Sequence, residues 1–414
     1  LGFVNDFERS DRCWVRQLVM VRKYILFIVI AAIACLMVVV GYGTYQNSVS
    51  PVAQSQVAAT SIQAQPQKLA LAPLGLTAPP RGDVRIAVIS DLNSQYGSTD
   101  YEAEVDKAIA LIPDWQPDLV LSGGDMVAGQ KASLTKPQIE AMWASFDLHI
   151  AAPLRRAKLP LGFTMGNHDA SGAIIQGVKP YQKERELAAA YWNRPDHNPG
   201  LTFVDRAKFP FYYSFQQNEV FYLVWDASTD RFSQEQLAWI ENSLASPAAQ
   251  SAKMRIAIGH IPLYAVAVGR NKAGEVLSNA DALRALLEKY HVHTYISGHQ
   301  HAYYPGKRGK LELLHTGALG AGARKLLNSN LPPTKTLTIV DIDLNAATTV
   351  YTTYDMRTLK VVDSQILPRL ITGVNGWVLR RDLTERDLTA QECSKLNQHT
   401  AITTEKLLCQ QTVK

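Results

Sequence analysis

Between Tyr24 and Gln67 the chain has no Asp, Glu, Lys or Arg. The first part of this gap, residues 24–42, is apolar and long enough to cross a bilayer, which predicts a transmembrane helix there. Arg9, Arg12, Arg16, Arg22 and Lys23 precede it, against Asp6, Glu8 and Asp11. By the positive-inside bias, residues 1–23 form a cytoplasmic segment and everything after the helix lies outside the cytoplasm, in the periplasm of a bacterium. The lipid bilayer is then a partner through this helix, in a single-pass membrane protein. The alternative is a secreted protein released by signal cleavage. Against it stand the length of the apolar run and the distance to the small-residue site at Val57-Ala58-Ala59. Met20, followed by Val21-Arg22-Lys23 and then the apolar run, has the arrangement of a signal anchor and is the expected start.

Cysteine is scarce as well, with four in 414 residues. On this topology Cys13 and Cys35 fall where no disulfide is expected. Cys393 and Cys409 lie on the oxidising side, where a bridge and two free thiols both stay open. A dominant charge is also missing. The net charge of +5 gives no basic face dense enough to make nucleic acid the main partner. No internal repeat is present, which excludes a solenoid. Gln, Ser, Ala, Val and Pro dominate from Tyr45 to Pro80, so residues 43–82 read as a flexible linker.

What is present is a series of strand-like runs. Val84-Arg85-Ile86-Ala87-Val88-Ile89 fits a strand buried on both faces, followed by a helical stretch through Val105, Ile109 and Leu111 and a second run at Asp118-Leu119-Val120-Leu121. Strand, helix, strand argues for a βαβ unit. Runs 210–215 and 220–225 flank Asn218 and predict a hairpin, and Ser233 caps a helix through Leu237, Ile240 and Leu244. Strands at 255–258 and 294–297 bracket a helix over 280–290. After Gly298 strands follow without helices, at 311–315, 336–344, 348–354 and 360–362.

Five of these runs break off into metal-binding side chains. They end in Ser90-Asp91-Leu92-Asn93, Gly123-Gly124-Asp125, Gly166-Asn167-His168-Asp169, Gly259-His260 and Gly298-His299-Gln300-His301. Asp, Asn and His gathered from distant strand ends are what a cluster of divalent cations needs, since such ions take oxygen and imidazole ligands. Pairs two residues apart, Asp91 with Asn93 and His299 with His301, point the same way in extended backbone.

As an ordered set these motifs resemble the calcineurin-like metallophosphoesterase superfamily, which includes purple acid phosphatases and cyclic-nucleotide phosphodiesterases. The resemblance runs from about Val84 to Asp355. It implies an α/β fold, a four-layer αββα sandwich over residues 83–365. That domain would follow the transmembrane helix and precede a tail, 366–414, to which no pattern assigns a role. It implies hydrolysis of phosphate mono- or diesters by a hydroxide held between two divalent cations, Mn, Fe or Zn. Asp125 would be shared by the ions, Asp91 and His301 would hold the first, and Asn167, His260 and His299 the second. His168 would serve as general acid, oriented by Asp169. A non-catalytic scaffold on the same fold is the alternative function.

Asn93 stands where many members have His, and Ala128 stands where purple acid phosphatases have Tyr. Both changes predict a weaker first ion, because a neutral amide binds less strongly than imidazole. The other histidines, Asp226 and the pair Tyr303-Tyr304 read as structural or surface residues. The sequence sets neither the substrate nor an oligomeric state.

Overall fold

All six residues of Val84–Ile89 are buried, so this branched run is stable only as an interior strand with covered faces. In the computed structural model residues 71–400 are described, the last three as backbone only. The segment 1–23, the predicted transmembrane helix 24–42, the linker up to residue 70, the tail beyond 400, and Cys13, Cys35 and Cys409 lie outside the described residues. Among the described residues no helix is long and apolar enough to cross a membrane.

The strands in chain order are β1 (Val84–Ile89), β2 (Leu119–Ser122), β3 (Leu161–Phe163), β4 (Phe203–Lys208), β5 (Tyr212–Gln217), β6 (Val220–Val224), β7 (Met254–Ile258) and β8 (Thr294–Ser297). They continue as β9 (Tyr304–Arg308), β10 (Leu311–His315), β11 (Thr336–Asp343), β12 (Thr348–Asp355), β13 (Lys360–Val361), β14 (Leu370–Gly373) and β15 (Gly376–Arg380). They form two sheets, one in the order β13-β12-β11-β1-β2-β3 and the other in the order β14-β15-β9-β10-β8-β7-β6-β5-β4. In the first, β1, β2 and β3 run parallel. In the second, β6, β7, β8 and β10 do.

The sheets face each other. The Tyr213 hydroxyl of β5 donates to the Phe163 carbonyl of β3 at 2.6 Å, and the Tyr351 hydroxyl of β12 donates to Glu312 of β10 at 2.9 Å. Helices cover the outer sides. Ala103–Leu111 buries Val105, Ala108 and Ile109, and Gln234–Ala245 buries Ile240 and Leu244 with Ser233 accepting from the Gln236 N–H at its cap. The predicted hairpin forms as β5 and β6, and both residues of its turn, Asn218 (φ 50°) and Glu219 (φ 62°), are left-handed, as a tight turn requires.

Contacts of the domain reach past two of the expected boundaries. Part of the expected linker is bound to the domain, because the Arg85 guanidinium donates to the carbonyls of Leu71 at 3.1 Å and Pro79 at 2.8 Å. The expected tail likewise contributes to the second sheet. Past residue 365, β14 and β15 pair with each other and β15 pairs with β9, and Leu370, Trp377, Leu379 and Leu396 form a small core of their own. Polar flanks hid the apolar alternation of these short strands. Strand β9 also went unread, since Pro305 and Gly306 carry turn signals. Cys393, in the helix Ala390–Thr400, is disulfide-bonded.

Arg85 and Asp341 are register partners on β1 and β11 and pair through two contacts, 2.9 and 3.1 Å, with the arginine fully buried. Removing one member leaves an uncompensated charge in the core. Asp341→Ala is therefore expected to lower unfolding stability by about 3–5 kcal/mol in denaturant titration, whereas alanine at the exposed Glu140 would shift it by under about 0.5 kcal/mol.

Candidate metal centre

Parallel strands deliver their carboxyl ends to one edge, and there the two sheets are laced together by main chain. The N–H groups of Leu319, Gly320 and Ala321, after β10, donate to the carbonyls of Ser90, Asp91 and Asn93, after β1. Leu92 N–H donates to the Asp125 carbonyl at 2.9 Å. This lacing holds Asp91 (φ 51°), Asp125 (φ 54°), His299 (φ 64°) and His301 (φ 54°) in the left-handed region. Such geometry is costly for residues with a Cβ and persists where the surroundings over-determine it. The extended backbone expected for the His299–His301 pair is thus replaced by a tighter path. Glycine makes the close approaches possible: a Cβ on Gly166 would lie 2.1 Å from Asp125 Oδ1 and one on Gly298 would lie 2.8 Å from Asp91 Oδ2.

Two clusters form, with Asp125 beside both. In the first, His301 Nε2 lies 3.2 Å from Asp91 Oδ1. In the second, Asn167 Oδ1 lies 2.9 Å from both His260 Nε2 and His299 Nδ1, which are 3.3 Å from each other. Asp125 Oδ2 is 3.3 Å from His260 Nε2. One ligand atom each from Asp91, Asp125 and His260 falls within 4.8 Å of the others. Asn93 is buried at the same edge, its N–H donating to the Asp125 carbonyl and its carbonyl accepting from Ala321.

The rings are turned by their outer nitrogens. His260 Nδ1–H donates to the Gly123 carbonyl at 2.8 Å, and His301 Nδ1–H to the Gly322 carbonyl at 3.0 Å. A carbonyl only accepts, so in the neutral rings each Nε2 presents a lone pair inward. His299 is turned the other way. Its Nε2–H donates to Glu275 at 2.7 Å, leaving Nδ1 as the inward lone pair. Asn167 is aimed by its amide, which donates to Gln130 Oε1 at 2.7 Å, so its oxygen faces the imidazoles.

Acceptors therefore converge on acceptors, an arrangement that calls for positive charge between them. Asp125 Oδ2 and His301 Nε2 are buried without any hydrogen-bond partner. This donor set, carboxylate and amide oxygen with imidazole nitrogen, fits divalent transition cations. Electrostatics agree. Burial raises the Asp125 pKa, but His260 and His168 outweigh it and hold the carboxyl far below its usual range. Burial likewise opposes ionisation of Asp91, and His301 overcomes it. At His260 burial disfavours the charged ring, yet the carboxylate of Asp125 pushes its pKa up to about 9, so in the metal-free protein Nε2 holds a proton that a bound cation would displace to expose the lone pair. Burial, aided by Arg270, lowers His299 to about 4.

His168 Nδ1 donates to the Gly129 carbonyl at 3.1 Å, and Nε2 lies 3.9 Å from Asp125 Oδ2 with the side chain 13% exposed. Asp169 does not orient this ring as expected. Its carboxylate accepts from the Val127 N–H at 2.9 Å and the Gly166 N–H at 2.8 Å, latching two ligand loops together. Its place at the third position of a short helix explains this, since such a carboxylate reaches back to the cap. Burial and the neighbouring Asp125 raise it to about 7.

Asp226 pairs with Arg185 at 2.7 Å, and His315 is buried against the Tyr264 carbonyl, both structural as read from sequence. Two residues at the centre were missed, Gln130 and Glu275. Neither sits in a motif, and only the fold brings them to the ligands.

Comparison with known proteins came to the same region of the chain. The calcineurin-like phosphoesterase family matches residues 84–303, just over half of the chain. Among solved structures, a purple acid phosphatase from yellow lupin (Lupinus luteus) seeds is 18% identical with a TM-score of 0.48, over 69% of this chain and 54% of that one. The chain thus spans about half the length of the lupin protein. GAP50, the anchor in the inner membrane complex of Plasmodium, is 13% identical with a TM-score of 0.43, over 68% and 87% of the two chains. A search of curated proteins found no match.

The outer contact of His299 yields a prediction about metal affinity. Carboxylates that accept from a ligating imidazole fix its ring and raise its basicity. Glu275→Gln is expected to weaken metal binding at the Asn167–His260–His299 cluster by about 10–100-fold, read by calorimetric titration of metal-stripped protein, with the other cluster unchanged.

Proposed function

Because the chain belongs to the calcineurin-like phosphoesterase family of hydrolases acting on phosphoric ester bonds, we propose that it hydrolyses phosphate mono- or diesters at a centre for two divalent cations, Mn, Fe or Zn. The observation that carries this reading is the inward set of lone pairs around the partnerless Asp125 Oδ2. Asp91 and His301 are the candidates for one cation, Asn167, His260 and His299 for the other, and Asp125 for both. Bound there, two cations supply an acidified water and offset charge on the phosphoryl oxygens.

The chain's own residues do the rest. Asp169 ties the Asp125 loop to the Asn167–His168 turn, so the shared carboxylate and the acid move as one body. His168 is held at Nδ1, and Nε2 is turned toward the pocket, where it can deliver a proton to the leaving oxygen. The Tyr96 ring, 5.0 Å from the His168 ring, flanks the approach. Asn93 in place of imidazole leaves the Asp91–His301 cluster the weaker binder.

The uncharged apolar run 24–42 and the cations before it support a membrane anchor with the catalytic domain outside the cytoplasm. A secreted form released by cleavage is distinguished by membrane fractionation of the full chain.

Activity and metal-binding measurements test this reading. Metal-stripped protein should regain hydrolysis of a chromogenic phosphate ester with Mn, Fe or Zn. His168→Ala should then lower kcat by about 10²–10⁴-fold while bound metal is retained, and full activity in that variant would remove the assigned acid. No turnover with any metal or ester would favour a binding scaffold. Calorimetry should also show two unequal metal affinities in the wild type, with Asn93→His tightening the weaker. Equal affinities would refute the assignment of Asn93.

A further inference from the structure

Two loops beside the ligands carry a concentration of cations that the proposed chemistry does not use. One, residues 266–275, follows His260 and holds Arg270 and Lys272. The other, residues 320–327, follows β10 and holds Arg324 and Lys325. They are bridged as a short antiparallel pair, Ala267 opposite Leu326, with Val268 N–H donating to the Lys325 carbonyl at 2.9 Å and Leu327 N–H to the Val266 carbonyl at 2.8 Å.

Both loops are fastened to the ligand segment. Gln300, between His299 and His301, turns away from the centre. Its Oε1 accepts from the N–H groups of Val266 and Ala267 at 3.0 Å, and its Nε2 donates to the Glu275 carbonyl at 3.1 Å. Arg324 N–H donates to the His301 carbonyl at 2.9 Å. The main chain of both loops is therefore held against the segment that carries His299 and His301.

Their countercharge is incomplete. Glu275 is shared by Arg270 at 2.5 Å, Lys272 at 3.8 Å and His299 at 2.7 Å. Among the described residues neither Arg324 nor Lys325 has a carboxylate partner, and the Nε atoms of Arg270 and Arg324 are buried without a hydrogen-bond acceptor. The Arg324 guanidinium lies over Gly269, the residue before Arg270, where an added Cβ would be 2.8 Å from Nη1. Burial and then the charge of Arg270 lower the Arg324 pKa, opposed only in part by Glu275. Like charges on adjoining loops, with one carboxylate shared among them, call for an anion.

The location says which anion. Arg270 reaches the outer edge of His299, at Nε2, while Nδ1 faces the metal cluster. Arg270 therefore lies outside the ligand shell, and the loop that carries Arg324 borders the same segment through His301. Two guanidinium forks and two ammonium groups match the many oxygens of a phosphate better than a carboxylate, which one fork satisfies.

Resting on the phosphoesterase reading above, we propose that Arg270, Arg324, Lys272 and Lys325 form a subsite for a second phosphate of the substrate, next to the one hydrolysed. The substrate class is then a phosphoester that carries a neighbouring phosphate, as in a diphosphate.

The test uses the full chain loaded with manganese, at a fixed concentration of free metal, titrated calorimetrically with orthophosphate, pyrophosphate and phosphonoacetate. Pyrophosphate should bind at least about tenfold more tightly than orthophosphate, as one added charge-assisted contact provides, with phosphonoacetate the weaker of the two doubly anionic probes. The margin should shrink to about twofold in Arg324→Ala/Lys325→Ser, and shrink in part in the exposed Lys272→Ser. Equal binding of orthophosphate and pyrophosphate, an undiminished margin in the double variant, phosphonoacetate binding as tightly as pyrophosphate, or no binding of any probe would each overturn the subsite. Hydrolysis of a simple monoester without a pyrophosphate margin would remove the subsite and leave the phosphoesterase reading standing.

Discussion

A carboxylate shut off from bulk solvent organises this protein. Asp125 is fully buried. One oxygen accepts the His168 N–H, and the other meets only imidazole edges. Left alone, a buried charge of this kind costs several kcal/mol, so the surrounding structure must both hold it in place and compensate it. The holding is done by main chain. Loops after β1, β2 and β10 exchange N–H and carbonyl groups across the gap between the sheets, and this ladder keeps four candidate ligands in left-handed backbone. The compensation is left to positive charge at the centre.

The same logic explains the ring orientations. Each imidazole is fixed through the nitrogen that points away: His260 by Gly123, His301 by Gly322, His168 by Gly129 and His299 by Glu275. Three of the four anchors are backbone carbonyls. Their positions follow from the loop paths, so no side chain at those points needs to be specified. His299 is the exception, and its anchor is a carboxylate on a separate loop. That makes its orientation the one most dependent on a single residue outside the motifs.

How far the sequence could be read follows from this division. Strands β1, β2, β7 and β8 are buried along nearly all their length, so each reads as a mainly apolar run, and the candidate ligands that follow them, Asp91, Asp125, His260 and His299, stand out at their ends. Asn167, His168 and His301 follow the same edge. Assigning Asp169 to His168 failed because adjacency in sequence says little about where a helix-start carboxylate reaches. Here it reaches the N–H groups of Val127 and Gly166. Gln130 and Glu275 carry no local signal at all, since their role exists only once remote loops meet. The β14–β15 hairpin was lost to its polar flanks, although Trp377, Val378 and Leu379 are buried in it.

Gln300 joins the segment of the candidate ligands to the neighbouring cationic loop. Placed between two candidate ligands, it projects to the opposite side and binds four main-chain groups of residues 266–275. A loop held this way cannot drift without disturbing His299, which also takes its orienting carboxylate from that loop. The main chain at positions 270 and 275 is consequently held by the same side chain that sits between two candidate ligands. Loops usually vary in position because little ties them down. This one is tied at its most sensitive point, so that charge beside the centre and geometry within it depend on one side chain.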